Sequence, residues 1–120
     1  MTAGGRLSIP VDSLARIMPL FLLLDGDGRV SGAGPTLNRI DGGLPGADFF
    51  DRFAVRRPRR IRTMDDLRAV EGQALHLRLA GPMATGFRAV GVSLAPEGAV
   101  LLNLSLGIQV AEAVSRHSLT

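Results

Sequence analysis

The chain carries two histidines and no cysteine, which removes thiolate nucleophiles, disulfides and zinc–thiolate sites from consideration. His76 stands on the polar side of an alternating stretch and His117 near the end of the sequence; either residue type can ligate a metal or a heme. A metal site converges several donors, and neither histidine has a second histidine or a carboxylate at ligand spacing, so both read as surface or edge residues. Asp25-Gly26-Asp27-Gly28 invites a calcium reading, but Arg29, Val30 and Thr36 then occupy the fifth, sixth and twelfth positions of the loop, where a calcium site needs an oxygen donor, a glycine and a bidentate glutamate. Gly32-Ala33-Gly34-Pro35 lacks the lysine and the third glycine of a phosphate cradle. Ser13, Ser31, Ser93 and Ser105 sit in no nucleophile elbow. These residues assemble no catalytic constellation, and the chain reads as a non-enzymatic module.

The remaining chemistry is cationic. All 14 basic residues are arginine, the net charge is +3, and Arg52, Arg56, Arg57, Arg59, Arg60 and Arg62 crowd into one segment. Guanidinium forks bind phosphate, which suggests a phosphate or nucleic-acid patch. A nucleic-acid face also needs stacking aromatics, and the chain has no Tyr or Trp and five Phe. The segment therefore reads as a solvated linker paired with Asp48, Asp51, Asp65 and Asp66, and no nucleic-acid partner is expected.

At 120 residues the chain suits a single core. Its longest apolar run, Ile17 to Leu24, is interrupted by Pro19 and falls far short of the roughly 20 residues that cross a bilayer. It lacks the basic flank and cleavage site of a signal peptide. No membrane partner is expected, and a cytoplasmic location is the default for a chain without cysteine.

The elements follow from spacing. Residues 1–9 read as a flexible tail and 10–120 as the domain. Leu14, Ile17 and Met18 share one face of a helix that Asp12 or Ser13 caps and Pro19 ends. Phe21–Leu24, the Asp-Gly-Asp-Gly turn and Arg29–Ser31 form a hairpin. Thr36 opens a short helix through Ile40, Phe49, Phe50 and Phe53 sit at helical spacing, and Thr63 with Asp66 caps a further helix. Leu75, Leu77 and Leu79 alternate with His76 and Arg78 as a half-buried strand. Phe87–Leu94 is another, and the nearly continuous apolar run Ala99–Leu104 is a third, placed centrally. Together they predict an α+β fold: a five-stranded antiparallel sheet, short helices inserted between strands 2 and 3, and an N-terminal helix.

The order of these motifs resembles the heme-NO-binding-associated domain, a PAS-like module of guanylate cyclases and bacterial sensor proteins. The matching stretches are Met18-Pro19-Leu20-Phe21 leading into Leu24–Val30, then Gly34-Pro35-Thr36-Leu37, Asp51-Arg52-Phe53 with Arg57-Pro58, and Leu102–Ile108. The stretch around Val90–Leu94 departs from the family in lacking its aromatic and acidic residues. The resemblance implies a regulatory domain of a bacterial signal transduction protein that homodimerises and relays a signal to a C-terminal output domain: a histidine kinase, a diguanylate cyclase or a nucleotide cyclase. It implies a heme-NO-binding protein as a further partner, and no catalysis by this domain. The final residues, Val114–Thr120, read as a helix or turn still under way, so the chain is expected to be the N-terminal domain of a longer protein.

Two readings follow. In the first, Leu14, Ile17, Met18 and Leu20, with an exposed sheet face, form a symmetric dimer interface. In the second, Phe49, Phe50 and Phe53 line a pocket between sheet and helices that takes a small apolar ligand or heme. No resident cofactor or metal is expected.

Overall fold

The structure is a computed structural model that describes residues 8–81, 85–94 and 98–106. Its elements run α1 (Val11–Ile17), β1 (Phe21–Leu24), β2 (Val30–Ala33), α2 (Pro35–Ile40), α3 (Phe49–Arg52), β3 (Phe53–Arg57), α4 (Met64–Ala69), β4 (Leu75–Leu79), β5 (Gly86–Leu94) and β6 (Ala99–Ser105). The strands make one six-stranded antiparallel sheet in the order β2-β1-β6-β5-β4-β3. The fold is thus α+β, and the last strand lies in the middle as its apolar composition predicts, between β1 and β5.

The β1–β2 hairpin is closed by its turn chemistry. The Asp25 carboxylate accepts from the amides of Asp27 (2.9 Å) and Arg29 (3.0 Å), and Gly28 takes the left-handed conformation (φ +90°) that closes the turn. Asp25 is therefore a turn-former. Thr63 caps α4 as the sequence predicts, accepting from the Asp66 amide at 3.1 Å. Two other caps differ. Helix α1 starts after Pro10 with no side-chain cap from Asp12 or Ser13, and α2 starts after Gly34, with Pro35 rather than Thr36 at its first position.

The sixth strand corrects the predicted count of five. Phe53 shares helical spacing with Phe49 and Phe50, but Asp48 caps a helix of a single turn, its side chain accepting from the Phe50 amide at 2.9 Å. At Phe53 the chain turns extended (φ −129°, ψ 143°). Phe53 and Val55 are then buried while Ala54 and Arg56 are exposed, a period of two that four residues of alternation followed by arginines conceal. Pairing with β4 satisfies backbone groups that would otherwise form a bare sheet edge. Consequently α2 and α3 lie between β2 and β3, and α4 lies between β3 and β4.

One sheet face is the core. Leu22, Leu24, Val30, Val55, Leu75, Leu77, Leu79, Phe87, Val100, Leu102 and Leu104 point into it, and Leu37, Leu44, Phe49, Met64, Leu67 and Val70 cover it from the helices and loops. Fully burying one such side chain contributes about 1.5–3 kcal/mol. The phenylalanines organise one end: Phe49 stacks on Phe53 at 5.2 Å and meets Phe50 edge-on at 5.0 Å. Among the described residues no helix is long and apolar enough to cross a membrane.

Candidate functional site

The outer face of the sheet divides into an apolar half and a basic half. Along β5 the outward side chains are Arg88, Val90, Val92 and Leu94, one cation followed by three aliphatics. Val92 lies across from Leu101 on β6, and Leu101 across from Leu23 on β1, so three aliphatic residues stand side by side on neighbouring strands. Val90, Val92 and Leu94 remain 46%, 43% and 37% exposed. Phe21 also points away from the main core, yet it is 1% exposed, and its ring lies over Gly32. Leu23 and Leu101 are half-buried, so the solvent-facing part of the row is Val90, Val92 and Leu94 on β5.

The basic half is set by register. Arg57, His76 and Arg88 are successive partners across β3, β4 and β5. An irregularity between Val55 and Arg57 places Arg56 and Arg57 on the same stretch of edge. Arg56, Arg57, His76, Leu77, Arg78 and Gly86 line an open cleft of about 330 Å³. His76 therefore sits on the opposite side of the sheet from the Phe49 core and is half-buried among arginines, where it is no ligand for a heme held between sheet and helices.

The linker reading of the arginines does not hold in detail. Arg52 leaves the cluster to pair with Asp41 and to donate to the Gly43 carbonyl. Asp48 is occupied as a cap, and Asp65 pairs with Arg68 at 2.8 Å. Among the described residues no carboxylate pairs with Arg56, Arg57, Arg59, Arg60 or Arg62.

The residues expected at a dimer interface occupy different environments. Ile17 is 71% exposed, Leu14 and Met18 are half-buried, and Leu20 packs against the core. Of the phenylalanines expected to line a pocket, Phe49 is wholly buried, while Phe50 and Phe53 border an edge cleft of about 250 Å³ with Ala54, Leu79 and Ala80. Their packed rings occupy the space between sheet and helix. Among the described residues no group of three His, Asp or Glu side chains converges as a metal site. His117 and the Val114–Thr120 segment lie outside the described residues, as do residues 1–7 of the expected tail. No protein-family model matches the chain, and no curated protein matches it in sequence.

Proposed function

We propose that the chain is a PAS-like regulatory module that homodimerises and relays a conformational signal to an output domain of the same protein, without catalysis of its own. One observation carries this reading: on the sheet face opposite the core, the half-buried Leu23 and Leu101 continue into the exposed aliphatic side chains of Val90, Val92 and Leu94. Contiguous exposed apolar surface on a small domain marks an interaction site. A two-fold axis through such a face brings it against itself, the commonest way for a soluble protein to form a dimer.

The strand order supports a PAS-like arrangement. Without its edge strand β3, the sheet reads β2-β1-β6-β5-β4, with the N-terminal hairpin meeting the last strand at the centre and all three later helices falling between β2 and β4. The five anticipated strands are these five. A small-ligand sensor remains the alternative, and the edge cleft beside Phe50 and Phe53 favours it, since two phenylalanines and Leu79 line it together with the charged Asp51, Arg56 and Arg78.

Sedimentation velocity on the wild type and on Val92→Glu tests the dimer. The expected result is a dimer that becomes a folded monomer when a charge enters the aliphatic row. A monomeric wild type, or a Val92→Glu dimer of unchanged affinity, overturns the assignment.

A further inference from the structure

The arginine-rich edge has no part in the dimer proposed above, and two devices fix the backbone that carries its exposed arginines. The irregularity between Val55 and Arg57 sets two consecutive arginines opposite the single residue His76. Ile61, 3% exposed, pairs with Val55 and folds the arginines around it back along β3. Arg57, His76 and Arg88 then stand in one row across three strands, with side chains about 5 Å apart at each step. Beside that row Gly86 faces Arg78 across the β4–β5 pair and contributes no side chain, which leaves the hollow open. No carboxylate lines the cleft.

We infer that this cleft, together with Arg88 beside it across from His76, is a binding site for a small multivalent oxyanion. Arg56 and Arg57 present guanidinium forks that match phosphate or carboxylate oxygens two at a time. His76 adds an N–H donor between them and Arg88. The row spans about 10 Å over two strand spacings, which suits a ligand with two or three anionic groups, such as a diphosphate or a tricarboxylate. The cleft has no aromatic wall, so it offers a nucleobase no surface to stack on, and recognition is of the charged groups alone.

Inorganic pyrophosphate and citrate, titrated separately at low salt, test the site by calorimetry and by amide shifts in nitrogen-15 spectra. Saturable binding of at least one is expected, with Kd below about 1 mM and shifts centred on Arg57, His76, Gly86 and Arg88. Tighter binding of pyrophosphate assigns a phosphate ligand, and tighter binding of citrate a carboxylate. Arg57→Gln and Arg88→Gln should each weaken binding about tenfold, Arg57→Lys less, and Arg16→Gln on α1 not at all. Circular dichroism confirms that each variant is folded. Equal losses from Arg16→Gln and Arg57→Gln, shifts scattered over every arginine, or no saturation by about 10 mM of either anion overturn the site.

Discussion

A β carbon on Gly34 would stand 2.2 Å from the carbonyl oxygen of Pro19. That oxygen accepts from the amides of Thr36 and Leu37, and the Gly34 amide donates to the Phe21 carbonyl at 2.8 Å. The end of β2, the start of β1 and the first turn of α2 are thus locked together by backbone atoms, which have no flexible side chain to give way. Gly34→Ala should destabilise the domain by about 3 kcal/mol, read as a drop in the urea midpoint with an unchanged slope. A loss under about 0.5 kcal/mol would show that the hairpin can shift to accommodate the methyl group.

Arg68 holds three elements. Its Nε donates to the Gly98 carbonyl at 3.0 Å and its Nη2 to the Gly26 carbonyl at 3.1 Å, while Nη1 meets Asp65. The side chain therefore pins α4 to the β1–β2 turn and to the turn before β6. Removing it leaves two partly enclosed carbonyls without donors, and hydrogen bonds to charged groups each contribute about 1.5–3 kcal/mol. Arg68→Ala should cost about 2 kcal/mol after partial compensation by water, whereas Asp65→Ala, which removes only an exposed pair, should cost less than about 0.5 kcal/mol. Equal effects from the two variants would show that the carbonyl contacts contribute nothing.

Much of the sheet was legible because each strand with a one-sided burial pattern writes that pattern at period two: Leu75, Leu77 and Leu79 against His76 and Arg78 is the clearest case. The β1–β2 hairpin was legible for a different reason, since its turn is closed by Asp25 and Gly28, residues that do this work locally. β3 was hidden because Phe53 belongs to two patterns at once. Its spacing from Phe49 and Phe50 is helical, and only the termination of α3 after one turn, a tertiary outcome, assigns it to a strand. The basic cleft was hidden because its members come from separate strands: Arg57, His76 and Gly86 line it together, with Arg88 beside His76, only through register. A one-residue slip in either pairing would separate them.

Phe53 also fixes the join between α3 and the sheet. It is 2% exposed, stacks on Phe49 and lies 6.2 Å from the Phe87 ring of β5. Phe53→Ala would open a cavity bordered by two other aromatic rings that cannot both collapse into it. The expected loss is about 3–5 kcal/mol, and Phe53→Leu should recover more than half of it. An alanine variant as stable as wild type would mean that this end of the core is loosely packed.

Helix α1 buries none of its residues, and Ile17 is its most exposed aliphatic side chain. A solvent-facing isoleucine at the end of a seven-residue helix contributes nothing to the fold of an isolated chain. Ile17→Asp should therefore leave the thermal midpoint of the monomer unchanged while weakening the dimer at least tenfold if α1 contributes to the interface. Concentration-dependent light scattering distinguishes the outcomes: an unaltered dimer constant confines the interface to the sheet face, and Leu14→Asp, at a half-buried position, should by contrast lower stability as well.

Glu71 adds a small acid-sensitive element at the β5 edge. Its carboxylate accepts from the Ser93 amide at 2.8 Å, and the hydrogen bond from the Ser93 side chain, followed by that backbone bond, holds its pKa below the ordinary 4.5. A carboxyl whose pKa is lowered by folding is more acidic in the native than in the unfolded chain. Its stabilising contribution is therefore complete above the unfolded value and is lost as pH falls from there through the folded value. The site is exposed, so the effect is modest and screened by salt. The difference in urea midpoint between wild type and Glu71→Gln should be present at pH 6, shrink as pH falls below 4.5, and disappear once the carboxyl is protonated in both the folded and the unfolded chain. A difference that persists unchanged in acid would mean that the glutamine fails for a reason other than charge, such as a poorer fit to the Ser93 amide.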